Sequence, residues 1–211
     1  MIYEPREDSY LLQKHIKDYV KNKSVLDLGT GSGILAEEAL KHQARPVMAS
    51  DISPEVIKHL KNKFKHNKNV KIIKSNLFSN MGNSVDCVAL RQNSPDRDFG
   101  TKSNKTNQNL CIKHKFDVII FNPPYLPQDE REDKESQQVT TGGKQGDEII
   151  LKFLKQAKSH LNNGGTILLV ISSLTPKNKI NFLLKKLNYK SRVIDTHNFF
   201  MEELELWEIR D

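Results

Sequence analysis

The fold of this chain is decided by one stretch, Ser24-Val25-Leu26-Asp27-Leu28-Gly29-Thr30-Gly31-Ser32-Gly33. Residues 24–28 form a short apolar run, which predicts a buried strand, and the three glycines after it predict a tight turn. A helix pattern starts directly afterwards, near Ile34. A strand, a glycine-rich turn and a helix in this order are typical of an open α/β sheet, in which ligands bind at the carboxyl ends of the strands.

The rest of the chain alternates between helix and strand patterns. Apolar residues at helical spacing predict helices over 5–20, 34–42, 54–65, 147–163 and 176–187. Short apolar runs predict further strands over 46–50, 70–74, 116–121, 166–171, 190–195 and 204–210. Because no helix pattern separates the last two strands, we expect them to pair antiparallel. The order predicts an α/β fold with a seven-stranded, mostly parallel sheet, an antiparallel last strand and helices on both faces.

One segment interrupts this order. Residues 80–115 are rich in Asn, Ser, Lys and Asp, with only a short apolar run at 85–90 that would suit a strand. Such a composition is typical of a long surface insertion. We therefore expect a single domain over 1–211 with a polar insertion at about 80–115 and no separate N-terminal domain.

The composition excludes several classes of protein. Hydrophobic residues make up 36% of the 211 residues and charged residues 28%, which fits a globular chain with its own core. The sequence has no apolar run long enough for a membrane span and no signal-peptide pattern, so we expect a cytoplasmic protein outside any membrane. Two cysteines, Cys87 and Cys111, are too few for a disulfide framework or a four-cysteine zinc site, and we expect no metal site.

The net charge of +7, from 33 Lys and Arg against 26 Asp and Glu, leaves two interpretations open. A basic balance fits a nucleic-acid or ribosomal partner. Lysines scattered along the chain also fit ordinary solvated helix faces. Charge alone therefore does not select the partner.

Polar residues at the ends of the first three strands indicate a cofactor. Asp27, just before the glycines, would repel a pyrophosphate but suits the amino group and sulfonium of S-adenosylmethionine (SAM). Ile34 stands where a dinucleotide fingerprint has glycine. Asp51 is placed to accept hydrogen bonds from ribose hydroxyls, and Asn76 and Leu77 can hold an adenine ring. Together these strand ends favour SAM over a nicotinamide cofactor.

The most unusual stretch is Asn122-Pro123-Pro124-Tyr125, which follows the strand pattern at 116–121. The prolines have fixed φ angles and no N–H groups, so they predict a stiff turn whose carbonyl groups can accept hydrogen bonds. The Asn122 side-chain oxygen and a neighbouring carbonyl can accept both hydrogens of a planar NH2 group. Tyr125 offers a flat face beside them. We therefore expect Asn122, Pro123 and Tyr125 to be the catalytic residues.

The glycine-rich stretch, Asp51 and Asn122-Pro123-Pro124-Tyr125 together resemble the class I SAM-dependent methyltransferases that act on exocyclic or amide nitrogens. These include adenine N6 and cytosine N4 DNA methyltransferases, guanine N2 RNA methyltransferases and HemK-like protein-glutamine methyltransferases. All of them methylate an NH2 group on an sp2 carbon. The resemblance implies a Rossmann-like class I methyltransferase fold and this chemistry, but it does not select the substrate.

Two further motifs narrow the resemblance. Residues 3–9, Tyr-Glu-Pro-Arg-Glu-Asp-Ser, look like the start of the archaeal and eukaryotic HemK-like enzymes, and residues 141–146, Thr-Gly-Gly-Lys-Gln-Gly, match their Gly-Gly-x-x-Gly segment. Bacterial relatives carry an extra N-terminal helical domain, for which this chain has no room. The resemblance implies N5-methylation of the glutamine in the Gly-Gly-Gln loop of class I translation termination (release) factors.

The resemblance also implies which residues form the site. It places SAM against Ser9, Asp27, Gly29, Gly31, Asp51, Asn76, Leu77 and Asn122, and the glutamine amide against Asn122, Pro123, Pro124 and Tyr125. Asn76 stands where the family more usually has Asp. Eukaryotic members work with a small zinc-binding activator protein that extends their sheet, which makes the third strand, Val70–Lys74, the expected docking edge.

Two other functions stay open. A nucleic-acid N-methyltransferase, acting on adenine N6 in DNA or RNA, would suit the net charge, although no target-recognition domain is evident to grip a duplex. A SAM-binding scaffold without catalysis would not need an intact Asn122-Pro123-Pro124-Tyr125. For catalysis we expect orientation of the amide by Asn122 and the Pro123 carbonyl, and we identify no obvious general base.

Overall fold

The structure of the protein, a computed structural model, describes residues 4–81, 114–129, 131, 140–199 and 201–211. Its helices are α1 (Glu7–Val20), α2 (Ile34–Lys41), α3 (Pro54–Lys63), α4 (Glu148–Ala157) and α5 (Lys177–Lys186). Its strands are β1 (Val25–Leu28), β2 (Val47–Asp51), β3 (Val70–Lys74), β4 (Phe116–Phe121), β5 (Leu126–Pro127), β6 (Thr141–Gly143), β7 (Leu161–Ser172), β8 (Lys190–Asn198) and β9 (Glu203–Arg210).

Seven strands form the central sheet in the order β3-β2-β1-β4-β7-β9-β8. Neighbours from β3 to β7 run parallel, and β9 runs antiparallel to both β7 and β8. The predicted mostly parallel sheet with an antiparallel last strand is therefore confirmed. Strand β3 forms one edge of the sheet, as expected, and β8 forms the other. Because β1 to β4 are parallel, the residues that follow them meet at one end of the sheet.

Apolar side chains cover both faces of this sheet. On one face, Phe153 of α4 and Leu184 of α5 belong to a buried cluster with Ile119. On the other face, Ile16 of α1 packs in a second cluster with Ile120. Burial on both faces explains why the central strands are continuous apolar runs rather than alternating ones. None of the helices in the described part of the chain is long and apolar enough to cross a membrane.

The largest departure from the predicted elements follows α4. The sequence predicts a helix up to the glycines at 164 and 165, but α4 ends at Ala157 and β7 begins at Leu161. Leu161 pairs with Phe116, and the next pair along β4 is Val118 with Thr166. Residues 162–165 therefore form an irregularity in β7, rather than the end of a helix. Leu161 fits the helical spacing, but the sheet buries it equally well.

The described residues on the two sides of the predicted insertion lie next to each other. Met81 is fully buried, and its carbonyl oxygen accepts a hydrogen bond from His114 N at 3.3 Å. The short strand expected at 85–90 and both cysteines lie outside the described residues. The main chain on the two sides of the insertion is therefore joined directly, next to the sheet.

Candidate active site

A cavity of about 690 Å³ opens at the carboxyl ends of β1 to β4. The start of α1 and the turn between β8 and β9 complete its wall. The wall contains all but one of the residues predicted for the cofactor and all of those predicted for the acceptor: Ser9, Gly29, Gly31, Asp51, Asn76, Leu77, Asn122, Pro123, Pro124 and Tyr125. The structure therefore brings together side chains that are far apart in the sequence.

The glycine-rich turn lies between β1 and α2 and forms the floor of this cavity. Gly33, just before α2, has a left-handed φ of 77°, and a Cβ atom there would lie 2.6 Å from Leu60 of α3. Glycine at this position therefore lets the two helices pack closely. The N–H of Gly31 donates to Asp51 Oδ2 at 3.1 Å, which ties the turn to the end of β2.

Asp27 is the predicted residue that the cavity wall lacks. Its side chain is buried behind the turn, where Oδ2 accepts hydrogen bonds from Thr30 Oγ1 at 2.6 Å and Ala36 N at 2.9 Å. Burial raises the pKa of this carboxyl group to about 6. Its other oxygen, Oδ1, is buried and accepts no hydrogen bond from the described residues. In the structure, Asp27 therefore stabilises the glycine-rich turn through these two hydrogen bonds.

Asp51 is fixed from two sides at the cavity wall. Besides the Gly31 bond to Oδ2, its Oδ1 accepts a hydrogen bond from Ser53 N at 2.9 Å. Ile52, the next residue, is 60% exposed and also lines the cavity. Ile52 was not predicted as a site residue. Its position directly after Asp51, a carboxylate at the end of a strand, is the signal that could have identified it. The pair offers a hydrogen-bond acceptor beside an apolar surface.

The loop after β3 presents Asn76 and Leu77 to the cavity in a strained conformation. Leu77 has a left-handed φ of 50°, which is unfavourable for a residue with a side chain. Ser75 Oγ holds it by donating to the Leu77 carbonyl oxygen at 2.7 Å, and Ser79 Oγ accepts from Asn76 N at 3.3 Å. Strain of this kind persists where surrounding contacts impose it, and it is often found at ligand sites.

The Asn122 side chain is held by one contact and leaves one atom without a partner. Its Nδ2 donates to Ser9 Oγ, at the start of α1, with a separation of 3.4 Å. Its Oδ1 is buried and accepts no hydrogen bond from any described residue. A buried acceptor without a partner is costly in a folded protein, so this atom is a natural contact for an N–H donor in the cavity.

The rest of the Asn122-Pro123-Pro124-Tyr125 turn is supported from behind. Thr175 Oγ1 donates to the Tyr125 carbonyl oxygen at 3.0 Å. A Cβ atom on Gly142 would lie 2.7 Å from the Pro124 carbonyl oxygen, and one on Gly146 would lie 2.5 Å from that of Tyr125. The Gly-Gly-x-x-Gly segment therefore packs its main chain directly against the turn, which explains its glycines in physical terms.

The turn between β8 and β9 also contributes to the cavity, which the sequence interpretation did not predict. Phe199, Glu202 and Leu204 line the same cavity as the glycine-rich turn. Glu202 Oε1 accepts a hydrogen bond from Ser172 Oγ, at the end of β7, at 2.6 Å. The signal lies in the topology rather than in a motif, because β9 returns antiparallel beside β7 and so brings this turn to the ligand-binding end of the sheet.

The arrangement can hold a planar NH2 group against one side of a cavity whose other side suits a nucleoside-like molecule. Acceptor oxygens, a rigid turn and an aromatic face lie at the Asn122 end, and a fixed carboxylate lies at the Asp51 end. Within the described ranges, no group of three His, Cys, Asp or Glu side chains is placed to hold a metal ion. The chemistry visible in the site is therefore orientation and hydrogen bonding.

Comparison with known proteins places this site in a family. The family model of the Eco57I restriction-modification methylase matches residues 10–204. A Methanocaldococcus jannaschii protein assigned as a protein N5-glutamine methyltransferase is 34% identical over 206 residues, which cover 96% of this chain and 88% of the relative. The release factor glutamine methyltransferase of Borreliella burgdorferi is 31% identical over 173 residues, which cover 78% of this chain but only 50% of that protein.

Solved structures show the same fold. The E. cuniculi Mtq2-Trm112 complex, described as responsible for methylation of the eRF1 translation termination factor, matches with a TM-score of 0.65. That match covers 99% of this chain and 98% of the other at 20% identity, so it supports the fold alone. The archaeal relative is similar enough along nearly its whole length to decide the family. The chain belongs to the HemK-like protein-glutamine N5-methyltransferases, within the class I SAM-dependent methyltransferases.

Proposed function

We propose that this protein transfers the methyl group of SAM to the side-chain amide nitrogen of a glutamine in the Gly-Gly-Gln loop of a class I release factor. The observation that carries the proposal is the buried Asn122 Oδ1, which has no described partner and lies in the wall of the cavity. The names of the relatives support a glutamine acceptor. We propose that the reaction takes place in the cytoplasm, where such a factor would end translation.

The residues on the donor side fit SAM. Asp51 would accept hydrogen bonds from the ribose hydroxyls, because both of its oxygens are already oriented by main-chain N–H groups. Asn76 and Leu77, with Ile52, would surround the adenine. Ser9, Gly29 and Gly31 would lie along the rest of the cofactor, with the buried charge of Asp27 behind them. When bound, SAM supplies an activated methyl group on a sulfonium.

On the acceptor side, the chain's own oxygens would orient the amide. Asn122 Oδ1 and the Pro123 carbonyl oxygen would each accept one N–H of the glutamine side chain, which turns the nitrogen lone pair towards the methyl group. Tyr125 would pack on the amide plane, and Pro124 would keep the turn rigid. As the new C–N bond forms and the C–S bond breaks, positive charge on nitrogen is stabilised by the same two oxygens until a proton leaves to water.

Methylation of an adenine N6 amine in nucleic acid is the second candidate. The match to the Eco57I methylase model and the net charge of +7 favour it. The charges around the cavity oppose it, because four of the charged side chains in its wall are acidic and two are basic: Glu7, Asp8, Asp51 and Glu202 against Arg6 and Lys152. An acidic rim repels a phosphate backbone, whereas it does not hinder a protein loop.

One assay separates these functions. Labelled SAM is offered with a recombinant release factor, with its variant lacking the loop glutamine, and with DNA or RNA. We expect label in the intact factor alone. Label in the nucleic acid would support the second candidate, and no label in any substrate would favour a scaffold that binds SAM without catalysis.

The variant Asn122→Ala tests the clamp itself. Removal of the carboxamide should abolish methyl transfer, since the amide loses an acceptor that orients it, while affinity for SAM measured by calorimetry should change little. Asp51→Ala is the matched control at the other end of the cavity and should weaken SAM binding instead. Retained activity of Asn122→Ala on every candidate substrate would refute the clamp.

We also propose that a small activator protein docks on the edge strand β3 and extends the sheet. Val70, Ile72 and Ile73 are the three apolar residues of this strand, and all of them are only half-buried. An exposed strand edge with apolar side chains is a natural site for an added strand. The proposal is supported by the solved Mtq2-Trm112 structure, in which a protein of this fold is in complex with a second protein.

A further inference from the structure

The hydroxyl of Ser9 lies 3.4 Å from Nδ2 of the Asn122 carboxamide. Ser9 lies in the first turn of α1 with 4% of its surface exposed, and its Oγ accepts the hydrogen bond from Asn122 Nδ2. No other described residue accepts a hydrogen bond from that amide nitrogen. We infer that Ser9 is a positioning residue for methyl transfer, in addition to its place beside the cofactor, and this inference rests on the proposed function.

The orientation of Asn122 matters because the two ends of its carboxamide have opposite hydrogen-bonding character. With Nδ2 turned to Ser9, the acceptor Oδ1 is the end without a partner. Rotation of the carboxamide by half a turn would present two N–H donors to the incoming NH2 group, which is itself a donor. An NH2 substrate would then be repelled instead of bound, so the contact with Ser9 selects the productive orientation.

Ser9 can perform this role because α1 is anchored along its length. Leu12, three residues after Ser9, is fully buried in the apolar cluster that contains Val118 of β4. Further along the helix, Gln13 Nε2 donates to Glu38 Oε2 of α2 at 3.0 Å, and Lys14 forms an ion pair of 2.8 Å with Asp195 of β8. The helix start is therefore fixed relative to the sheet, and its hydroxyl is a stationary reference for a side chain 113 residues away.

The experiment compares Ser9→Ala and Ser9→Thr in the full chain, with the release factor as substrate. Loss of one hydrogen bond to a reactive group should lower kcat about tenfold in Ser9→Ala, whereas Ser9→Thr, which keeps a hydroxyl, should recover most of the rate. Because Ser9 also lies beside the cofactor, the Kd for SAM should rise in Ser9→Ala, but by a much smaller factor than kcat falls. Ser159→Ala, which removes a hydroxyl bonded to the Gln156 carbonyl far from the site, is the matched control.

A double-mutant cycle with Asn122→Asp distinguishes positioning from a general structural effect. The carboxylate introduced by this substitution has no N–H for Ser9 to fix, so Ser9→Ala should cost much less in that background than in the starting protein. An equal cost in both backgrounds, or a SAM Kd that rises in step with the loss of kcat, would overturn the inference and leave Ser9 as a cofactor contact. Unchanged kcat in Ser9→Ala would overturn it as well.

The two proposals fail separately. If Asn122→Ala is inactive while Ser9→Ala is fully active, the amide clamp stands and only the role of Ser9 is wrong. If Asn122→Ala retains activity, the clamp itself is wrong. Equal melting temperatures of the variants, measured by circular dichroism, exclude loss of fold as the cause of either result.

Discussion

Asp27 holds a buried negative charge, which lowers the stability of the folded protein and which its two hydrogen bonds do not require. The two hydrogen bonds that Asp27 accepts, from Thr30 Oγ1 and Ala36 N, both go to the same oxygen, Oδ2. An asparagine could therefore keep them through its own side-chain oxygen. The charge on Asp27 is buried, and its pKa rises to about 6 from an ordinary value of 3.8. The sequence predicted a role beside a cation, and the structure adds that this charge is retained at the expense of stability.

Asp27→Asn should therefore stabilise the protein above pH 6 when no cofactor is present. Because the pKa of Asp27 is raised in the folded state, the folded protein prefers the protonated carboxyl group. The contribution of this group to the free energy of unfolding is therefore fully present below pH 3.8 and is lost as the pH rises through about 6. The variant removes a cost of at most about 3 kcal/mol, and its melting temperature at pH 7.5 should exceed that of the starting protein by several degrees. The difference should shrink towards pH 4.

The control for this prediction is Asp195→Asn, whose effect should have the opposite sign. Hydrogen bonds from His15 and Lys14 lower the pKa of Asp195 to about 2. Because the pKa of Asp195 is lowered in the folded state, its charged carboxylate stabilises the folded protein at pH values above the ordinary carboxyl pKa. This stabilisation is lost as the pH falls, so Asp195→Asn should have a lower melting temperature than the starting protein at pH 7.5. Identical pH trends for the two variants would contradict the assignment of the Asp27 charge.

At the scale of the elements, the acceptor turn packs against a second segment, residues 142–146, at two glycines that lie close to its main-chain atoms. The sequence showed Asn122-Pro123-Pro124-Tyr125 and Gly-Gly-x-x-Gly as separate motifs, the first from the chemistry of its residues and the second from resemblance. Their packing against one another could not be deduced, because glycine leaves no side chain whose pattern would indicate a neighbour. The same limit explains the error after α4, where Leu161 fits a helix and a strand equally well.

Gly142→Ala should distort the acceptor turn without unfolding the protein. The added methyl would overlap the carbonyl oxygen of Gly146 and lie 2.7 Å from that of Pro124, and neither main-chain atom can move without its segment. We expect a loss of methyl transfer of at least tenfold at unchanged SAM affinity, measured by kinetics and calorimetry. Gly164→Ala is the control. Its Cβ would meet nothing within 4 Å, and the strain at its left-handed φ of 73° lowers stability at a residue that does not line the cavity, so activity should survive it. Equal losses would contradict the packing argument.

At the scale of the whole molecule, sequence reasoning identified the mostly parallel sheet, its edge at β3 and the strand ends that form the cavity. It missed the turn with Phe199 and Glu202, because that turn reaches the site only through the antiparallel return of β9. We propose that residues 1–211 act as one domain, since both hydrophobic clusters pack on a single sheet. The segment at 80–115 then is an insertion into this domain.

The proposed partner should protect one edge of this sheet and not the other. With a candidate activator present, amide hydrogen exchange of Val70–Lys74 should slow, since an added strand takes up main-chain groups at the β3 edge. The opposite edge of the sheet, strand β8 (Lys190–Asn198), is the internal control. Its amide hydrogens should exchange at the same rate with and without the activator. Protection of β8 alone would contradict the proposed docking strand.

The hydrogen bond between His114 and Met81 has one more consequence, because it marks a natural point of division. Residues before it carry the proposed donor contacts, from Ser9 to Leu77, and residues after it carry the acceptor turn. The halves join through parallel strands, with Leu28 opposite Phe121. Fragments 1–81 and 114–211, produced together, should restore methyl transfer when they assemble, and neither should work alone.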